Sequence, residues 1–336
     1  MKKLVRVSIG LLVGCAAFIL HVWSFFALSY CSFPSRPALR LPLAVFYGLT
    51  IFFLVVLSRK KFRALIFSLL AFLAVVFWFN SIKPPQHGVY PPELAIASVH
   101  FNGDIVTVSG VRNCDYRTKD DFDVRYETRT YNIRDLRTLD VMVNYWGMSA
   151  IAHTFLSFGF SDGRYLSVSV EIRPEVGEAY GMLDGLFKQY ELIYIWGDER
   201  DLVRLRTNYK GEDVYLYRAS WTPEIIRKLL VTMLKRTQAI SATPMFYNTA
   251  THSCTNTIGN DMIAAKIAQI PWYKRKLLTG DVDRRLYTSG ILDTQGKPFE
   301  ALRKESLIND RAKLADKDSD FSLKIRTHLS DVPLLI

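Results

Sequence analysis

The sequence predicts an α+β domain built on a mixed, largely antiparallel sheet and preceded by three transmembrane helices. Three observations carry this: an acid-free, apolar N-terminal stretch, a period-two hairpin between His153 and Ile172, and short β-type runs interleaved with helical segments beyond Ile105.

Residues 1–79 hold nine Lys or Arg and no Asp or Glu, so most of the chain's net charge of +11 resides there. The remainder carries 34 basic against 32 acidic side chains, which excludes a nucleic-acid-binding patch. Three apolar runs, Val7–Ser29, Leu41–Ser58 and Ala64–Ile82, have lengths of 23, 18 and 19 residues. Each is close to the ~20 residues that cross a bilayer as helix. Trp23, Tyr30 and Trp78 lie near the run ends, where amphipathic rings favour the interface. Lys2, Lys3 and Arg6 precede the first run, and Arg59, Lys60, Lys61 and Arg63 separate the second from the third. This asymmetry sets the N-terminus inside and everything after Lys83 outside. Leu12-Val13-Gly14-Cys15 has the form of a lipoprotein signal box, but the apolar run continues past Cys15, beyond the ~7–15 residues of a signal-peptide core. No cleavage is expected there.

The chain therefore divides into a membrane anchor (1–82), a proline-rich linker (83–104) and an outer domain (105–336). Lys83 to Pro92, if extended as polyproline at ~3.1 Å per residue, spans only about 31 Å and keeps the domain near the bilayer. Ile105–Val111, Val124–Tyr131, Val141–Tyr145 and Val214–Tyr217 read as strands. Thr222 and Pro223 open a helix whose core stripe is Ile226, Leu229, Leu230, Met233 and Leu234. Arg204 and Arg206 share a strand face that could meet a phosphate head group, though a solvated strand face is the expected reading. Residues beyond about Trp272 read as polar surface helix, and Arg303–Asp320 as a solvated face or loose tail.

Leu166, Val168, Val170 and Ile172 alternate with Tyr165, Ser167, Ser169 and Glu171, giving a strand with one buried and one polar face. His153 to Phe160 alternates in the same way. A three-residue loop, Ser161-Asp162-Gly163, keeps apolar opposite apolar and sets Gly163 where a left-handed residue is wanted. Phe160 then pairs with Arg164, Leu156 with Val168, and His153 faces Glu171. A carboxylate there holds the imidazole tautomer and supports its protonated form.

Cys254 follows Ser253, a good N-cap, at what reads as a helix start. Helix-start amides and the positive dipole end favour thiolate over thiol. Cys254 is thus the candidate nucleophile, His153 the candidate base and Glu171 the candidate third member. An ordinary packed histidine and a solvent-facing glutamate are the plainer readings of the last two. His252 is a weaker base, since neighbours two apart point different ways on a helix. Cys114, the other cysteine of the outer domain, is the alternative partner of Cys254 in a disulfide, and catalysis requires the two to stay apart. No metal-ligand spacing, Gly-rich loop or nucleophile elbow appears, so neither metal nor cofactor is expected.

From about Arg112 to Ile258 the chain resembles the Lnb N-terminal periplasmic domain family of bacterial lipoprotein N-acyltransferases. The resemblance is carried by Tyr145-Trp146-Gly147, His153-Thr154-Phe155-Leu156-Ser157-Phe158, Ser167-Val168-Ser169-Val170-Glu171-Ile172-Arg173, Gln189-Tyr190-Glu191-Leu192, Asp198-Glu199-Arg200-Asp201 and Tyr247-Asn248 leading to Cys254-Thr255. It implies a papain-like thiol enzyme with Cys254 as nucleophile, His153 as base and Glu171 as a third member. It also implies a multi-pass protein of the bacterial inner membrane, its C-terminal domain in the periplasm and phospholipid or lipoprotein as partner. Two features differ: Ser253 stands where the family has Asn, and the spans precede the domain instead of following it. The expected activity is acyl transfer through a cysteine thioester. A cell-wall peptidase or amidase using the same residues, and a non-catalytic tethered binding module, are the competing readings. Acyl donor, acceptor and oligomeric state stay open.

Overall fold

The computed structural model describes residues 2–31, 37–84, 88–147, 149–178, 181–267 and 279–329. Helices α1 (Lys2–Tyr30), α2 (Arg40–Leu57) and α3 (Lys61–Ser81) are each long and apolar enough to cross a membrane. Helix α1 runs through Cys15 without a break.

The chain separates into two compact units. The first contains the three helices together with residues 177–191 and 245–249. Phe187 sits with its ring centroid 6.1–6.4 Å from those of Trp23, Phe26, Tyr30 and Phe79. Lys188 Nζ donates to the carbonyls of Phe79 (2.8 Å) and Ile82 (3.3 Å) at the end of α3. Arg40, opening α2, donates to Gln189 Oε1 at 3.1 Å. The Tyr247 amide donates to the Tyr190 carbonyl and the Thr249 amide to that of Gly185, tying the two inserted segments together. The inserted loop thus meets the C-terminal ends of α1 and α3 and the N-terminal end of α2. In an up-down-up bundle these lie on one side, the side the Lys/Arg asymmetry assigns to the exterior.

The second unit holds residues 89–176, 192–244 and 250–336. Its strands are β1 (Ser98–Asn102), β2 (Ile105–Arg112), β3 (Asp115–Tyr116), β4 (Phe122–Asp123), β5 (Tyr126–Asn132), β6 (Leu136–Tyr145), β7 (Ala152–Phe160), β8 (Tyr165–Arg173), β9 (Glu191–Gly197) and β10 (Asp213–Arg218). The main sheet runs β1-β2-β9-β8-β7-β6-β10, with β5 also on β2, while β3 and β4 form a separate pair. Strands β2 and β9 are parallel and the other registered pairs antiparallel, so the sheet is mixed as expected. Strand β1 falls within the stretch read as linker. Helix α5 (Pro223–Ala242) buries the predicted stripe Ile226, Leu229, Leu230, Met233 and Leu234.

The hairpin has the predicted register. Leu156 lies opposite Val168 and Phe155 opposite Ser169. The Phe160 amide donates to the Arg164 carbonyl, and Gly163 takes φ +81° at the loop. The face read as polar is nevertheless buried: Ser157, Ser167 and Ser169 are fully covered. Helix α4 (Glu199–Arg204) and α10 (Phe321–Lys324) lie over it, and the serine hydroxyls are satisfied by carboxylates and by each other.

Two expectations are corrected. Arg204 and Arg206 are on no strand; they belong to α4 and to the π-helical turn Leu205–Tyr209 that continues it, and both are buried. Asp198 caps that helix by accepting from the Arg200 amide, and the acidic first turn suits the dipole. Nor is the C-terminal region a loose tail. After α7 (Val282–Thr288), α8 (Phe299–Ser306) and α9 (Asn309–Leu314), Ile308, Ala312, Phe321 and Ile325 join Met142, Phe155 and Ile193 in the core. Burying a side chain such as Phe321 contributes on the order of 1.5–3 kcal/mol. The charged positions between them are the outward face of short amphipathic helices.

Candidate active site

Cys254 opens helix α6 (Cys254–Ala264), and Ser253 caps it, its Oγ accepting from the Asn256 amide at 3.4 Å. The amides of Cys254 and Thr255, first in the helix, have no acceptor within it and are available to an anion. The thiol is half-buried, and Cys15, Cys31, Cys114 and Cys254 are all free cysteines, so no disulfide to Cys114 exists. Cys114 is buried in another setting, where burial and the nearby Asp201 carboxylate push its thiol up to about 11.

The β7–β8 ladder ends at Phe155–Ser169; beyond it Thr154 Oγ1 lies 3.2 Å from Thr255 Oγ1, which is itself 3.8 Å from the Cys254 sulfur. His153, buried at the start of β7, is near enough to the thiol for the two to interact electrostatically. Its Nε2 lies 2.7 Å from Ser169 Oγ, and Ser169 Oγ donates to Glu171 Oε1 at 2.6 Å. Glu171 Oε1 is 3.3 Å from Nε2, so the carboxylate faces the imidazole as predicted but reaches it chiefly through Ser169. Because the one Ser169 proton goes to Glu171, Nε2 must be the donor to Ser169 Oγ. Nδ1 is then the nitrogen left with a lone pair for the Cys254 proton.

Electrostatics point the same way. Burial alone would push the Cys254 thiol up, but the His153 imidazolium beside it prevails and lowers it. For His153 burial disfavours the cation, yet Glu171 and then Cys254 outweigh it and raise the imidazole to about 9. Burial likewise opposes ionisation of Glu171, and His153, Arg206 and Ser169 hold it well below the usual carboxylate range. Each group thus favours the charged form of the other.

The structure therefore brings Cys254, His153 and Glu171 together. His252 is half-buried, and its Nδ1 lies 2.9 Å from Thr251 Oγ1 instead. Among the described residues no group of three His, Cys, Asp or Glu could hold a metal ion. Sequence reasoning missed Ser169, taken as one of several polar-face serines, and Arg206, which donates to Glu171 Oε1 at 2.7 Å. The signal for the second was available in Asp198-Glu199-Arg200-Asp201, a helix start.

Residues 122–277 match the family model of the Lnb N-terminal periplasmic domain. The match spans all three candidate residues and ends before α7, so the core-filling C-terminal helices lie outside it. This match to a periplasmic domain, together with three helices long and apolar enough to cross a membrane, points to a membrane protein with a periplasmic domain. No curated protein and no solved structure matches the chain.

Proposed function

We propose that the protein is a thiol-dependent acyltransferase of the bacterial inner membrane, with a papain-like active site working on lipid or lipoprotein at the periplasmic surface. The observation that carries this reading is the relay from the Cys254 thiol through His153 and Ser169 to Glu171. His153 Nδ1 takes the thiol proton, and the thiolate attacks a lipid ester carbonyl. The Cys254 and Thr255 amides face the resulting oxyanion, and the imidazolium returns the proton to the departing alcohol as the thioester forms. An amine then attacks the thioester, His153 takes its proton, and Cys254 is released as the amide forms.

A lipid substrate is favoured by the membrane unit itself. It takes up residues 177–191 and 245–249, the first beginning six positions after Glu171 and the second ending five positions before Cys254. A cell-wall hydrolase has no need of such anchoring, whereas an acyltransferase gains proximity to donor and acceptor in one leaflet.

The test is incubation of the full-length protein in phospholipid vesicles, with and without diacylated lipoprotein, followed by intact mass. A hydroxylamine-sensitive acyl adduct on Cys254, absent from Cys254→Ala, is expected. No adduct with either lipid, together with Cys254-dependent cleavage of peptidoglycan fragments, would make it a peptidase or amidase instead.

A further inference from the structure

We infer that Arg206 and Ser169 are positioning residues that keep His153 in the one tautomer able to accept the Cys254 proton. This rests on the reading of Cys254 as nucleophile and His153 as its base, and it adds two residues to the machinery.

Glu171 is only partly covered, its side chain 27% exposed, and it lies near the end of β8 beyond the last ladder pair. Left to itself, a carboxylate there would sample several rotamers, only one of which presents Oε1 to Ser169. Arg206 removes that freedom. Its Nη2 donates to Oε1 at 2.7 Å, while Nη1 donates to the Leu202 carbonyl at 2.7 Å on its own helix. The guanidinium carbon lies 4.7 Å from the centroid of Phe155, whose ring in turn lies at 25° to that of His153 with centroids 6.0 Å apart. Three contacts therefore fix the guanidinium, whose planar fork presents separate N–H groups to the two acceptors in a pre-organised geometry.

The backbone is adapted to the task. Arg206 lies in the π-helical turn, which the Lys210 amide closes onto the Leu205 carbonyl at 2.9 Å. Such wide turns are rare and gather at functional sites.

Ser169 does what Glu171 cannot do alone. A carboxylate accepts from either imidazole tautomer that reaches it, but a hydroxyl already donating to Glu171 can only accept from Nε2. Fixing the Nε2–H form is what frees Nδ1. The charged and titratable groups facing this cluster are Cys254 from α6, Glu171 from β8, and Arg206 and Lys210 from the π-helical turn and the residue after it.

Two readings on the full-length protein in detergent test the assignment. The pH–rate profile of Cys254 alkylation by iodoacetamide reports the thiolate, and long-range proton–nitrogen NMR of histidine-labelled protein reports the tautomer. In Arg206→Met or Ser169→Ala, the acid limb of the profile should move up by about one pH unit, roughly a tenfold slower labelling at pH 6. His153 should also lose its Nε2–H signature above its titration. Arg206→Lys, which keeps charge without the fork, should restore only part of the wild-type profile. Wild-type profile and tautomer in both variants would overturn the positioning roles while leaving the base assignment standing. A wild-type Cys254 that labels no faster than a peptide thiol would overturn the base assignment itself. Should Arg206→Met not fold, Ser169→Ala and Arg206→Lys decide alone.

Discussion

Two polar clusters lie on the same face of the β7–β8 hairpin, and the contrast between them separates structure from chemistry. At one, Ser157 donates to Glu199, and Arg326 bridges Glu199 and Asp140, with Arg218 also on Asp140. Arg326, Asp140 and Glu199 are at most 1% exposed. At the other, Ser169 donates to Glu171, which Arg206 holds, and the imidazole and thiol complete the set. The parts are nearly the same: serine, carboxylate, guanidinium. One is sealed, every charge offset by a fixed opposite charge. The other stays partly open and contains two groups whose protons move in the accessible range. A single segment, α4 with its π-helical turn, supplies Glu199 to the first and Arg206 to the second.

The largest expected effect is at the sealed cluster. Arg326→Met strips Glu199 of its cation and should cost about 3–5 kcal/mol, read as a shifted urea midpoint of the periplasmic unit by pulse proteolysis. The alkylation profile of the protein still folded should be unchanged; a profile that moves would show the clusters to be one.

Next in size, His153→Ala should slow alkylation of Cys254 at pH 6 by about ten- to hundredfold, since the thiol then titrates near its ordinary range. Equal rates in both proteins would remove the imidazole from the site.

A smaller effect concerns pH and stability. The imidazolium's contribution is fully present below about 6.5 and is lost as pH rises through about 9. That of Glu171, whose pKa is depressed, is present above about 4.5 and is lost as pH falls through its folded value. The melting-temperature gap between wild type and Glu171→Gln should be widest between about 4.5 and 6.5 and shrink on either side. A gap independent of pH would mean that the two groups do not interact.

The smallest effect belongs to the second cysteine of the periplasmic domain. Cys114 should resist alkylation in the native state, and Cys114→Ser should leave Cys254 labelling within a factor of about two. A slowed Cys254 would show a coupling absent from the described contacts.

What could be read from the sequence was local. Leu156, Val168 and Gly163 settle the hairpin register within twenty residues, and Ser253 marks the start of α6 from one position away. Periodicity and capping need no knowledge of the rest of the chain. Arg206, Arg326 and the C-terminal helices failed for the opposite reason. A guanidinium looks solvated until its carboxylate is found, and Asp140 lies 186 positions before Arg326. Composition assigns charge to the surface; only the tertiary pairing licenses its burial.

The distance from Asp140 to Arg326 also has a meaning in time. A growing chain emits Asp140 and Glu199 long before their cation, and at ~5–20 residues per second the wait for Arg326 after Asp140 is roughly ten to forty seconds. Throughout that interval the sheet that carries His153 lacks its cover on one face, while Cys254 has already been made. The thiol and the residues that activate it are therefore all synthesised before the helices that cover the sheet.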